Sequence, residues 1–136
     1  MQKEEVKAFK NELSNYTFYL HQEETLNNSI EFCFHQLSGV RAIDPSKEPI
    51  HAMPNKDAEY AIRDKIERYE AKLRLVCDKT TYIKETLDRI ETPLREAVIA
   101  VYAYHHRIAK EAEKMALSET GLRKRMNKAI EKALID

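Results

Sequence analysis

The chain has 136 residues, with 23 basic and 23 acidic side chains, 34% charged residues, and only 2 glycines and 4 prolines. So few turn-forming residues argue against a sheet protein and favour an all-α fold, with long charged helices in place of strands. The neutral total hides a gradient: residues 1–54 carry 5 basic and 8 acidic side chains, residues 55–104 carry 10 and 10, and residues 105–136 carry 8 and 5. The positive surplus collects at the C-terminal end, as expected where a chain meets a polyanion.

From about Lys3 to Leu37 the apolar positions step as Val6, Phe9, Leu13, Tyr16, Leu20, then Ile30, Phe34 and Leu37. Steps of three and four mark an amphipathic helix with heptad character. The same register places Glu23 and Asn27 on the seam and leaves Leu26 off it, so a break is expected around HQEETLNNS. Two helical segments, near 3–21 and 23–37, follow from this pattern, and residues 1–37 form an N-terminal helical region. Residues 38–54 hold one glycine and three prolines. Proline removes a backbone donor and drives its predecessor out of helical geometry, so this stretch reads as a linker.

A long helix is predicted from Asn55, as N-cap, to about Ile90, within a region spanning 55–91. Its seam is Ile62, Ile66, Tyr69, Leu73, Val76, Thr80, Ile83, Leu87 and Ile90, with charged residues between. A lone helix cannot hide such a stripe. Homodimerisation is the preferred way to cover it, and an antiparallel pair with residues 3–37 of the same chain is the alternative.

Residues 92–136 then read as a small helix-turn-helix domain. Thr92 is the expected cap, and Pro93 the first helical residue, where its missing N–H does no harm. Leu94, Ala97, Val98, Val101 and Tyr102 define the buried face of a helix ending near Ala103. A short helix from about Arg107 to Met115 presents Ile108, Ala112 and Met115. The last helix occupies LSETGLRKRMNKAIEKAL, with Ser118 as a good N-cap and Leu122, Met126, Ala129 and Ala133 as its apolar stripe. At about 100° per residue, Thr120, Lys124, Asn127 and Glu131 lie roughly opposite, with Arg123 and Lys128 flanking. Such a face suits a DNA major groove, reaching both phosphates and base edges. Ser118, Thr120, Arg123, Lys124, Asn127 and Lys128 are the expected DNA-contacting residues.

Other chemistries find little support. Cys33 and Cys77 are isolated, without a CxxC pair, and read as free thiols of a cytosolic protein. His105 and His106 are adjacent and point about 100° apart on a helix, so a turn suits them better than a metal; His35 and His51 have no ligand spacing. Ser118, Cys33 and Cys77 lack the setting of a nucleophile, and Gly39 and Gly121 form no phosphate loop. The expectation is therefore no enzyme, no metal and no cofactor. The charged start MQKEEVKAFK shows neither signal peptide nor membrane span, so a cytoplasmic location without membrane contact is expected.

The segment TPLREAVIAVYAYHHRIAKEAEKMALSETGLRKRMNKAIEKAL resembles region four of bacterial sigma factors. Ala112, Met115, Ala116, Leu117 and Ser118 fall on the family's middle motif, and Leu122, Arg125, Met126, Ala129 and Leu134 on or next to the last. Beyond that segment, the layout is similar to the RinA and ArpU-like late transcription regulators of phages of Gram-positive bacteria, and HQLSGVRAID resembles their Leu-Ser-Gly-Val loop entry. Two departures carry structural expectations. Glu111 replaces an apolar residue, which predicts a rotated or shifted helix. Ala116 replaces the glycine of the turn, which predicts another turn geometry, since a side chain tolerates positive φ poorly.

The resemblance implies a phage- or prophage-encoded, sequence-specific regulator of late packaging and morphogenesis genes, acting in the bacterial cytoplasm. Its partners would be double-stranded DNA, host RNA polymerase and a second copy of the chain. The alternative is a helical coiled-coil adaptor of phage packaging with weak or no specific DNA binding.

Overall fold

The computed structural model describes residues 2–41 and 56–135, and among these the fold is all-α, with no strand. In order come α1 (Gln2–Ser14), α2 (Tyr16–Arg41), α3 (Lys56–Asp88), α4 (Leu94–Val98) with a π-helical turn (Ile99–Ala103), α5 (Ile108–Lys114) and α6 (Glu119–Ile135). No described helix is long and apolar enough to cross a membrane. The chain divides into two compact units, Met1–Leu20 with Asp78–Asp136, and His21–Cys77. This differs from the expected division into 1–37, 38–54, 55–91 and 92–136. The terminal helices share a unit with α1 and the end of α3, where both α1 and α4 pack on α6.

The N-terminal break falls at Asn15, not within HQEETLNNS. Local side chains compete there for the backbone: Ser14 Oγ donates to the Asn11 carbonyl at 2.6 Å, and Asn15 Nδ2 donates to the same oxygen at 3.2 Å. The Asn15 N–H turns to Glu12 at 3.1 Å, a tighter bond than the α-helical one. Beyond Tyr16 the inward positions depart from the expected seam, with Tyr19, Leu26 and Cys33 buried before Leu37 rejoins it. Phe34, expected on the seam, is instead 49% exposed.

The helix also runs further than proline content suggested. Ser38 to Arg41 continue α2, so the stretch expected as a loop entry, Leu37 to Val40, is helical. The remaining linker positions, with His51 and the predicted Asn55 cap, lie outside the described residues.

The α3 ladder is inward as predicted. In unit His21–Cys77, Ile66 packs with Cys33 and Leu37 of α2, with Ile30, Ile62 and Tyr69 alongside. In the other unit Ile83, Leu87 and Ile90 are buried, and Phe9 of α1 meets Tyr82 edge-on at 6.1 Å between ring centroids. Ile66, Val76, Thr80, Ile83, Leu87 and Ile90 of the ladder are thus buried within the chain itself, while Ile62, Tyr69 and Leu73 stay partly exposed. The contacts of α2 and α1 with this helix match the intramolecular alternative.

Two end-of-helix devices position the terminal trio. Thr92 does not cap α4: Pro93 is the N-cap residue, without a side-chain bond, and the Thr92–Pro93 peptide is cis. Arg95 ties α4 to α3 instead, donating to the Ile90 carbonyl at 2.9 Å and the Asp88 carbonyl at 3.1 Å. These carbonyls at the end of α3 would otherwise lack partners. The π turn then spaces the buried positions five apart, from Val98 to Ala103. Val101 and Tyr102, expected on the buried face, are left half-buried.

Candidate nucleic-acid interface

The approach to α6 is set by the end of α5. Ala116 has φ 55°, so the turn keeps the left-handed geometry that its side chain disfavours. Two backbone bonds hold it there: the Leu117 N–H donates to Ala112 at 2.9 Å and the Ala116 N–H to Glu113 at 3.1 Å. This pairing is a Schellman motif, which satisfies carbonyls at the helix end. The change of geometry expected from the loss of a glycine is not seen at Ala116, whose φ stays left-handed.

Glu111 lies on the inner side of α5. It stays inward at 7% exposure next to buried Ala112, with His106 Nδ1 and Lys114 Nζ each 3.4 Å from its Oε1. Those two polar neighbours offset the loss of hydration that burial imposes on a carboxylate. His105 and His106 lie in the connection between the π turn and α5, as expected, with His105 at φ 58°.

Ser118 begins α6 as the sequence predicts. Its Oγ accepts from the Gly121 N–H at 3.0 Å, and its carbonyl accepts from Leu122 at 2.9 Å. A Cβ on residue 121 would stand 3.0 Å from that Oγ, so the absence of a side chain gives the cap its room. Ser118→Ala should cost about 1 kcal/mol of stability by removing the cap. Thermal or urea unfolding followed by circular dichroism measures this directly.

The inner face of α6 is Leu122, Met126, Ile130 and Ala133. Ile130 replaces Ala129 in the expected stripe, and Ala129 is only half-buried. The substitution turns the helix about its axis and re-sorts the predicted contacts. Thr120, Lys124 and Lys128 stay exposed on the outer side, and Arg125, which the outer face had not included, is exposed beside them. Asn127 differs from them: it is half-buried, and among the described residues its enclosed Oδ1 has no hydrogen-bond partner. An oxygen held this way is badly placed to read an adenine.

Arg123 is exposed but belongs to the flank toward α1 and the π turn. Its charge acts on two groups there. Lys10 Nζ lies 5.0 Å above the centre of the Tyr102 ring. Burial, and then repulsion from Arg123, lowers the Lys10 ammonium below its ordinary pKa. Burial raises the Tyr102 hydroxyl, and Arg123 partly offsets that rise. Removing the cation, as in Arg123→Gln, should therefore move both titrations upward: Lys10 back toward its ordinary value, Tyr102 further from its own. Side-chain NMR titration of the two groups tests both signs at once.

Lys10 and Tyr102 do not stand out in the sequence as companions of α6. Lys10 sits on an amphipathic N-terminal helix among other lysines, and only the packing of α1 against α6 brings it here. Among the described residues there is no group of three or more His, Cys, Asp or Glu side chains able to hold a metal ion. No family model, curated protein or solved structure matches the chain.

Proposed function

We propose that this chain is a sequence-specific DNA-binding transcriptional regulator of the RinA/ArpU-like kind, reading promoter DNA of phage late genes through α6. The observation that carries this reading is the construction of α6. Its inner face is anchored in the core, its first turn is capped by Ser118, and a tight turn joins it to α5. Its outer face presents Thr120, Lys124 and Lys128 with Arg125 beside them. Lysines at such positions can hold phosphates or donate to guanine, and a threonine can meet base edges.

RNA polymerase is a second partner in this proposal, on the resemblance to sigma region four. A second copy of the chain, also part of this proposal, would set two such helices on one duplex through residues other than Ile66, Val76, Ile83 and Leu87, which are buried within the chain.

A second reading is a helical adaptor of packaging. The observation in its favour is the exposed aromatic surface of unit His21–Cys77, where Phe32 is 62% and Tyr60 69% accessible. Apolar side chains displayed this way suit a protein partner when they gather into one patch.

Selection of bound duplexes from a random-sequence pool separates the two. A regulator enriches one site and loses affinity steeply with salt, at about 0.9 logarithmic units per phosphate contact. Enrichment of no sequence, with equal affinity for every duplex, overturns the regulator and favours the adaptor.

A further inference from the structure

Lys10 and Arg123 come from opposite ends of the chain; the fold sets Lys10 over the Tyr102 ring and brings both groups within reach of Arg123's charge. Lys10 is half-buried over the Tyr102 ring at 5.0 Å. Arg123 is close enough for its charge to disfavour the Lys10 ammonium and favour the Tyr102 phenolate. Among the described residues, neither cation is joined to a carboxylate by an ion pair. Two like charges whose fields overlap, one of them partly desolvated, leave a positive potential that a nearby anion can share. Burial also keeps the Tyr102 hydroxyl protonated, hence a hydrogen-bond donor.

The π turn is what makes the cluster available. With Ala103 taking the buried position five residues after Val98, the Tyr102 ring is left half-buried where Lys10 covers it. Arg123 lies next to Lys124 on α6, so the cluster borders the exposed basic face. A duplex seated on Lys124 and Lys128 would bring its sugar–phosphate backbone to the edge of that face, where phosphate contacts position a protein on DNA.

We infer that Lys10 of α1 and Arg123 of α6, beside the Tyr102 ring, form a clamp for a backbone phosphate of double-stranded DNA, making the N-terminal helix part of the interface. The inference rests on the DNA-binding reading above and adds to it a contact that the terminal helices alone do not contain. The clamp positions the protein on the duplex and carries no base preference.

The test compares the full chain with Lys10→Gln, Lys10→Arg and Lys84→Gln on one selected duplex and one unrelated duplex, across a salt series. Lys84 is exposed on α3, outside the cluster, and controls for net charge. Lys10→Gln is expected to weaken both duplexes by the same factor and to flatten the salt slope by about 0.9, the value of one phosphate contact. Lys10→Arg should keep the slope, and Lys84→Gln should leave it unchanged. In the wild type, added duplex should raise the Lys10 titration toward its ordinary value by supplying the missing counter-charge.

An unchanged slope in Lys10→Gln, in a protein whose unfolding curve matches wild type, overturns the clamp while leaving the DNA-binding reading intact. Equal effects of Lys10→Gln and Lys84→Gln overturn it as well. A wild-type chain that binds no duplex overturns both readings. A Lys10 response to inorganic phosphate but not to duplex would assign the cluster to a small anion and overturn its role on DNA.

Discussion

Ile130→Ala is expected to destabilise the protein by about 2–5 kcal/mol, the cost of truncating a fully enclosed aliphatic side chain and leaving a cavity. Ile130 is 0% exposed, in a unit that also encloses Phe9, Leu13, Leu122 and Met126. A domain of this size has only about 5–15 kcal/mol of stability to lose, so the variant should melt well below wild type. The comparison that gives the result meaning is Ala129→Ser. Residue 129 is half-buried, and a small polar substitution there should change stability by about 0.5 kcal/mol or less. Equal effects at 129 and 130 would mean that α6 is not rotated as described. Urea unfolding of both variants, monitored by circular dichroism, decides the matter.

The second large effect belongs to the outer face. Lys124→Ala combined with Lys128→Ala is expected to remove most of the site preference and flatten the salt slope by about 0.9 for each of the two contacts that is to a phosphate. A lysine that reads a base would add discrimination of roughly 1–3 kcal/mol. Asn127→Ala should behave differently. Among the described residues its enclosed Oδ1 has no partner, so removing it relieves a desolvation cost of roughly 1–3 kcal/mol, and alanine is the better helix former. The variant should therefore be more stable than wild type and keep its site preference. Electrophoretic mobility or fluorescence anisotropy on selected and unrelated duplexes measures the binding terms. Loss of preference in Asn127→Ala with no change in the lysine pair would reverse the assignment of the outer face.

The contrast between neighbouring positions explains how much was legible beforehand. Ala129 and Ile130 are both apolar and adjacent on the helix, so either can complete a stripe with Leu122, Met126 and Ala133. Periodicity narrows the inward direction only to within about 100°, the angle between successive residues. The neighbours choose between the two, and packing in a shared core favours the larger side chain at the enclosed position. Asn127 and Arg123 move with that choice, and so does the identity of the residues facing a ligand.

The same reasoning applies along the rest of the chain. The all-α class, the inward ladder of α3, the Ser118 cap and the order of short terminal helices follow from sequence, because each depends on residues within a few positions of one another. Spacing, capping and breaker signals act at that range. The break at Asn15 is also local, but it arises from Ser14 and Asn15 side chains competing for one carbonyl. Heptad counting cannot see that competition.

Tertiary structure alone decided the remainder. It buried most of the α3 ladder within the chain itself and drew α1 into the terminal unit. It kept Glu111 inward beside His106 and Lys114, and held Ala116 in a left-handed turn through two backbone bonds. It also set Lys10 over Tyr102 within reach of Arg123's charge. These pairings join residues far apart in the chain, or rely on surroundings that outweigh a local preference. Distant contacts leave no periodic trace in a single sequence, so the basic helix was legible there, while its rotation and its companions emerged only from the packing.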